Sequence, residues 1–470
     1  MGKLLTFCVF GCFSLQLHAQ VVEASSAEHE FIIHSVKANA TASQWHSGII
    51  RMDNGDIVAP AELKDNDYAI VGLDAYGALQ WKTKLPGKAV GMGSVKDRIL
   101  AFYLTEHEHE AYAVLLDAQT GGILKESRLA GGGYRIHLFA QTEDGGKLQY
   151  LLVRTTRARD RRPPYYWGLT ESLQLLRFND DGELSGTTAI GLPPDSWFMG
   201  SACAGPGHFF IATYSETRIR VDRFTGGGEP AGTLDIAVDN EILRRMACYQ
   251  MAVGGNKDYV VLTTRQTMGR QNSNFRMFGF DFSAGKTFAA EPEKWDRKYA
   301  YSISYEKVPG ITGHNMIEPT EFYSTLALTT PDKIIVVKEG LFRWSRYFTN
   351  QGLVVSFYDY ALNPLKTIGV NKVVITPHDQ GQSIGHRIVG DSLTLVSATS
   401  YYGGFDVGIF RIDVKNMKFS RAFRLDKVSA APIEPGNTVW SGDSMLLNFL
   451  ARPRKSTKPY MNSLFRNVTF

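Results

Sequence analysis

Arginine and aromatic residues are concentrated in a few long segments of this 470-residue chain. They include RTTRARDRRPPYYWG (154–168), KEGLFRWSRYF (338–348) and SYYGGF (400–405). Arginine binds planar anions through paired hydrogen bonds, and exposed aromatic faces stack on sugar rings or cations. The alternative is that arginine stacks on tyrosine and tryptophan only to stiffen these loops. We predict a surface that binds an anionic or saccharide ligand or a protein partner, with the candidate residues Arg157, Arg161, Tyr166, Trp167, Arg343, Trp344 and Tyr402.

Histidines supply the candidates for catalysis and for metal binding. His107 and His109 alternate in TEHEHEAY (105–112), so on a strand they would share one face; a solvated loop is the alternative, and we predict no metal site. Four others each lie near the start of a predicted inner strand, where they would line a central channel either as catalytic groups or as water-bound polar residues. These catalytic candidates are His46, His137, His314 and His378.

The first twenty residues, MGKLLTFCVFGCFSLQLHAQ, predict a secretory signal peptide, with Lys3 before an apolar stretch and small Ala19 near its end. We therefore expect a secreted or periplasmic protein without a transmembrane segment. VFGC (9–12) resembles a lipobox, so the alternative is a lipoprotein anchored through Cys12. Of the remaining cysteines, Cys203 and Cys248 are predicted to form a disulfide in an oxidising compartment, with two buried thiols as the alternative.

The overall charge excludes one class of partner. Lys and Arg number 51 and Asp and Glu number 47, which leaves a formal net charge of +4. Nucleic-acid binding through the charge of the whole protein is therefore not predicted.

The elements that must position these residues repeat along the chain. GLDAYGALQW (72–81) and LLDAQTGGIL (115–124) each place an aspartate and a turn between alternating apolar stretches, which is typical of a β-hairpin. Degraded copies lie around Asp181, Asp222, Asp281, Asp359 and Asp413.

A more apolar pair of strands precedes each hairpin, as in VGMGSVKDRILAFYL (90–104). Four strands per repeat predict an all-β fold, a single propeller of eight blades, or alternatively seven, over residues 21–470. The last blade, which contains 438–451 and 464–470, is one strand short. We expect EFIIHSVKA (30–38) to complete that blade and close the ring.

The segments between strands fall into two classes. Turns inside the strand pairs are short and rich in glycine and aspartate, and in a propeller they lie on one rim. The long basic and aromatic segments connect the inner pair to the outer pair, so they lie on the opposite rim. This segregation assigns the predicted binding surface to the second rim, because loops carry function on rigid scaffolds.

LDAYGALQW and LDAQTGGIL resemble the tandem repeat of quinoprotein-like (PQQ-repeat) propellers. The resemblance implies a propeller and admits a quinone-dependent oxidoreductase. Such dehydrogenases carry adjacent cysteines at the cofactor site, and this chain has no adjacent cysteine pair, so we predict no PQQ or other cofactor. We expect an exported, non-enzymatic binding module. The alternative is an enzyme of the channel, either a lyase or hydrolase of acidic saccharides or an oxidoreductase.

Overall fold

The structure is a computed structural model. It describes residues 22–29, 31–33, 35–37, 45–47, 49–63, 67–105, 110–131, 135–144, 147–155, 170–203, 207–239, 246–254, 257–267, 273–294, 303–305, 321–344, 347–376, 384–401, 405–429, 439–441, 444–451 and 462–469.

Strands make up most of the described chain. In chain order they are β1 (Val22–His29), β2 (Ile32–Ile33), β3 (Ser35–Lys37), β4 (Trp45–Ser47), β5 (Ile50–Arg51), β6 (Ile57–Glu62), β7 (Tyr68–Leu73), β8 (Leu79–Leu85), β9 (Lys88–Val95), β10 (Arg98–Leu104), β11 (Glu110–Asp117), β12 (Ile123–Gly131), β13 (Arg135–Asp144), β14 (Lys147–Thr155), β15 (Thr170–Phe178), β16 (Leu184–Ile190), β17 (Trp197–Cys203), β18 (His208–Tyr214), β19 (Arg218–Thr225), β20 (Pro230–Ala237), β21 (Met246–Val253), β22 (Tyr259–Thr267), β23 (Ser273–Asp281), β24 (Lys286–Ala289), β25 (Glu293–Lys294), β26 (Ser304–Tyr305), β27 (Glu321–Thr329), β28 (Ile334–Trp344), β29 (Tyr347–Tyr358), β30 (Pro364–Thr376), β31 (Gly385–Val389), β32 (Ser392–Tyr401), β33 (Phe405–Asp413), β34 (Lys418–Ser429), β35 (Val439–Ser441), β36 (Ser444–Ala451) and β37 (Asn462–Thr469).

The strands form seven sheets of four or more strands, and β3 pairs with β4 in a separate hairpin. The largest sheet contains two four-stranded units, β27–β30 and β31–β34, which are joined by one parallel bridge between Val373 and Ser400. The described strands therefore make eight blades of an all-β propeller, as predicted. Their members are β2 and β5–β8 (blade 1), β9–β12 (blade 2), β13–β16 (blade 3), β17–β20 (blade 4), β21–β25 (blade 5), β26–β30 (blade 6), β31–β34 (blade 7) and β35–β37 with β1 (blade 8).

The second strand of blade 2, β10, shows why such strands are apolar on both faces. Successive side chains of a strand point to opposite faces, and each face of a blade packs on a neighbouring blade. Ile99 and Ala101 lie in the apolar cluster shared with blade 1, and Leu100 and Phe102 lie in the cluster shared with blade 3. All four are at most 1% exposed. The core is therefore a series of layers between blades.

The ring is closed by the N-terminal strand, as predicted, but by an earlier segment than 30–38. Residues 22–29 pair antiparallel with β37 and complete blade 8. Ile32 and Ile33 instead pair with β6 of blade 1, and Phe31 and Ile33 are buried between blades 8 and 1. The apolar residues that suggested an outer strand belong to the core, whereas the polar segment VEASSAEH suits an edge.

The repeated aspartate caps the outer hairpin in blades 1, 2, 5, 6 and 7. The Asp74 carboxylate accepts hydrogen bonds from the backbone N–H groups of Tyr76 and Ala78, both at 2.8 Å. Asp117, Asp281, Asp359 and Asp413 hold their turns in the same way. Side-chain oxygens that bond backbone two or more residues ahead stabilise a turn locally.

Two of the predicted copies were centred on the wrong residue. Asn179, rather than Asp181, caps the turn of blade 3 through the N–H groups of Asp181 and Glu183. In blade 4 the Thr225 hydroxyl takes this position. Asp222 is 4% exposed and accepts hydrogen bonds from Arg220. Asparagine and threonine also carry a side-chain oxygen that accepts hydrogen bonds from the turn. A repeat defined by aspartate alone is therefore placed at the wrong residue in blades 3 and 4.

Candidate functional site

One rim of the propeller, here called the turn rim, carries the turns within strand pairs, including 74–78, 118–122 and 179–183. Six described side chains on or next to this rim bond a neighbouring blade. The Gln149 amide donates to the Gly226 carbonyl at 3.0 Å, between blades 3 and 4. The other such contacts are Trp81 Nε1 to Ala118 O, Arg98 Nη1 to Asp181 O, Arg177 Nη1 to Gly227 O, Arg223 with Asp258, and Arg51 Nη1 to Trp440 O. These side chains of the turn rim therefore stabilise the packing of neighbouring blades.

The opposite rim, here called the connection rim, includes the strand ends Thr155, Trp344 and Tyr401. The second strands of blades 3 to 7 become polar as they approach it. Before that point they are apolar, as in Leu151–Val153 and Ile334–Val337. Burying polar groups costs free energy unless they find partners, so such residues are not placed there by packing alone. The polar residues of these second strands that lie near the connection rim and are at most 1% exposed are Thr155, Thr213, Thr263, Thr264, Lys338, Glu339 and Ser397.

Blade 6 projects beyond blade 4 on the connection rim. Its strands β28, β29 and β30 have 11, 12 and 13 residues, whereas the four strands of blade 4 have seven or eight. At about 3.3 Å per residue, four surplus residues add about 13 Å. We call residues 340–344, 347–352 and 371–376 the blade 6 extension.

Irregular pairing separates the extension from its blade. The β28–β29 register shifts between Glu339 and Leu341, and the β29–β30 register shifts between Gln351 and Leu353. Gly352, inside the second shift, has a φ of +103°, which favours glycine. Bulges bend a sheet and increase its twist, so the extension changes direction where it leaves the blade.

The extension is joined to blade 7. Val373 in β30 pairs with Ser400 near the end of β32, in parallel orientation. Arg343 pairs with Phe348, which in turn pairs with Thr376, so these three form one row across the extension. β32 ends at Tyr401. The backbone therefore brings the described parts of two segments predicted to bind a ligand, 338–348 and 400–405, to one place on the connection rim.

At the base of the extension, Lys338 and its partners form a buried cluster between blades 5 and 6. Lys338 is 0% exposed and forms an ion pair with Glu293. Its Nζ donates to Tyr358 Oη at 2.9 Å, and the Tyr358 hydroxyl donates to Glu293. The ammonium also lies 4.4 Å from the centre of the Phe275 ring. Burial lowers the pKa of Lys338, and the Glu293 carboxylate opposes that shift.

Glu339 lies on the other face of β28, between blades 6 and 7. It is 0% exposed, and the Ser397 hydroxyl donates to its Oε1 at 3.3 Å. Two adjacent buried ionisable side chains thus lie on opposite faces of blade 6 where its extension begins. The signal in the sequence is the Lys-Glu pair inside the apolar run IIVVKEGLF (334–342). From the sequence, residues 338–348 are assigned to a loop.

That assignment is corrected by the structure: Arg343 and Trp344 lie in β28, and the following strand begins at Tyr347. The pairing of β28 with β29 continues through residues 341–344 and 347–350. The shorter strands of the other repeats predict a loop at these positions. The other candidate binding residues, Arg157, Arg161, Tyr166, Trp167 and Tyr402, lie outside the described residues.

The histidine and cysteine candidates are placed only in part. His46 lies in β4 and His137 is the third residue of β13, the innermost strand of blade 3. The other four, His107, His109, His314 and His378, lie outside the described residues. Cys203 ends β17 and Cys248 is the third residue of β21, the innermost strands of neighbouring blades. The side chain of Cys248 is outside the described part, so the disulfide stays a prediction.

Within the described part of the chain, no group of three or more His, Cys, Asp or Glu side chains is arranged to hold a metal ion. The same residues include no helix long and apolar enough to cross a membrane.

No protein-family model and no curated protein matches the chain. Among solved structures, the WD40 domain of SCAP from fission yeast is 9% identical, with 96% of this chain and 98% of that chain covered and a TM-score of 0.40. A protein from Lactobacillus plantarum is 10% identical, with coverages of 85% and 96% and a TM-score of 0.40. Prolyl oligopeptidase B from Galerina marginata is 10% identical over 87% of this chain and 53% of that one, with a TM-score of 0.43.

These similarities carry no function to this chain, and the propeller is assigned from its own strand pairing. The resemblance to quinoprotein repeats has no matching family model. Its shared aspartate is accounted for by the turn that it caps.

Proposed function

We propose that the protein is an exported binding module whose connection rim, centred on the blade 6 extension, holds an anionic or saccharide-rich ligand. The observation that carries this proposal is the extension itself. It continues three strands past the blade and joins them to blade 7, next to Tyr401. The sequence of its tip, FRWSRYF (342–348), combines two arginines with four aromatic residues.

The difference in side-chain contacts between the two rims supports this location. On the turn rim, a series of described polar side chains bonds the neighbouring blade or caps its own turn. The extension adds strand length, and among the described residues its one backbone pair with another blade is Val373–Ser400. A rigid sheet that presents guanidinium and aromatic groups can fix planar anions and sugar rings without the cost of ordering a loop.

The test uses polygalacturonate as the anionic polymer and dextran as the neutral one. Arg343→Glu and Trp344→Ala are compared with the unchanged protein by calorimetry. Lys415→Glu, an exposed site on the turn rim, is the matched control. We expect Trp344→Ala to weaken binding by about 1–3 kcal/mol, by analogy with aromatic stacking on bases, and Arg343→Glu to weaken it further and to reduce its salt dependence.

Binding that is unchanged in the double variant Arg343→Glu/Trp344→Ala, with a normal melting curve, contradicts this location. Binding of neither polymer contradicts the ligand class. Cleavage of polygalacturonate that is lost in His137→Ala favours the alternative of a channel enzyme.

A further inference from the structure

The outermost strand of each blade is an edge, and proteins usually protect edges from pairing with other chains. Charged residues, prolines or shortness serve this purpose in the other blades. β8 contains Lys82 and Lys84, β20 begins at Pro230, and β24 has only four residues. β12, β30, β34 and β1 each contain charged residues.

The outermost strand of blade 3 lacks these protections. β16 has the sequence LSGTTAI, with neither a charged residue nor a proline. Among the described strands, β16 pairs only with β15, so it forms the end of its sheet. Gly186–Ile190 pair with Leu173–Arg177 in unbroken register, which leaves this part of the edge regular.

The side chains of β16 are also accessible. Leu184 is 43% exposed, and Thr187 and Ala189 are exposed on the outward face. Thr188 turns the other way and accepts a hydrogen bond from Arg177 at 2.7 Å. Threonine is a strong strand former, and threonine pairs across strands are favourable.

We propose that β16 is a dimerisation edge, on which the β16 of a second copy pairs antiparallel about a two-fold axis at Thr187. The partner follows from comparing the edges that this chain offers. Any other complete outer strand would bring a charge or a proline to the new ladder, whereas a second β16 brings neither. The contact is isologous and therefore closes as a dimer.

The axis at Thr187 fixes the register. Thr187 lies opposite its own copy, and Gly186 lies opposite Thr188 of the second copy. Directly opposed residues have Cβ atoms about 4.5–5.5 Å apart. The two copies of Ala189 are displaced by four residues along the strands, which is about 13 Å.

The experiment is oxidative cross-linking of the full protein, read on a non-reducing gel. Thr187→Cys is expected to give a covalent dimer. Ala189→Cys, a matched exposed position on the same face, is expected to give none above the unchanged protein. Cross-linking at both positions to the same extent, or at neither, overturns the proposal.

Light scattering over a range of concentrations gives an independent measure. The unchanged protein is expected to show the mass of a dimer, and Thr187→Lys that of a monomer with the same melting temperature. Gln80→Lys, on the edge strand of blade 1, is the control and should remain dimeric. A monomer at all concentrations, or a dimer that persists in Thr187→Lys, contradicts pairing through β16.

Discussion

The indole of Trp81 donates a 3.0 Å hydrogen bond from Nε1 to the backbone carbonyl of Ala118, across the boundary between blades 1 and 2. The ring also covers Gly121, where a Cβ would lie 2.4 Å from an indole carbon and where φ is +71°. One tryptophan thus fixes the turn of the next blade. The sequence motif contains both partners, but their contact joins two copies of the repeat.

Trp81→Phe keeps a ring over Gly121 and removes the hydrogen bond to Ala118. We expect a loss of about 1 kcal/mol, the usual net value of one such bond, measured as a shift in the urea midpoint. Gly121→Ala should cost more, because its Cβ meets the indole in a backbone conformation that alanine disfavours. A larger loss for Trp81→Phe than for Gly121→Ala contradicts this account.

The Lys338 cluster predicts an asymmetry between its two charged members. Glu293→Ala leaves a fully buried ammonium without its carboxylate, and removing one partner of a buried pair typically costs about 3–5 kcal/mol. Lys338→Met replaces the ammonium by an apolar group beside Phe275 and leaves a carboxylate that is partly exposed, so its cost should be much smaller. Urea unfolding of both variants measures the difference, and equal losses would contradict it.

The turn aspartates predict acid sensitivity. The Thr120 hydroxyl and N–H donate to Asp117 and lower its pKa, and Asn416 does the same for Asp413. Because these folded pKa values lie below the unfolded value of about 3.9, the stabilisation is present above that value. It is lost as the pH falls through the folded pKa.

Asp117→Asn keeps an oxygen for the turn and removes the titration. Its stability relative to the unchanged protein should therefore improve as the pH falls from about 6 to about 2.5, a range that spans the aspartate titration. Melting curves across that range measure the difference. A difference independent of pH shows that the carboxylate is not linked to folding.

Removing residues 22–29 uncovers the edge of β37. We expect the melting temperature to fall and aggregation to rise, because an open edge strand pairs with other chains. The register provides the converse test, since Ser25 pairs with Asn467. Ser25→Cys with Asn467→Cys should form a disulfide and raise the melting temperature, whereas Ser25→Cys with Phe465→Cys, two residues out of register, should not. Equal behaviour of the two pairs contradicts this closure.

The predicted bridge between Cys203 and Cys248 requires Cα atoms within about 7 Å. Alkylation of the native, unreduced protein followed by mass spectrometry decides it. A bridge leaves both residues unmodified until reduction, and modification of both without reduction rules the bridge out.

How far the sequence predicts the structure depends on the range of the interaction. Asp117 bonds the N–H groups of the next residues, so its hairpin follows from a few letters. The pairing of residues 22–29 with β37 depends on the other end of the chain, and nothing in VEASSAEH specifies it. The blade 6 extension is not predicted from the sequence. The shorter strands of the other repeats indicate that the strand ends before FRWSRYF (342–348), although the residues of that segment are also compatible with a strand.

Seven hairpin repeats serve eight blades because the eighth outer hairpin is divided between the two ends of the chain. Synthesis of the chain delivers residues 22–29 early and β37 late. Strand β1 has no partner within its own chain until β37 has been synthesised, and its misassembly with other chains is a risk throughout that interval. The ring therefore links folding to the arrival of the last residues, and a chain cut short before 462 has no partner for its first strand.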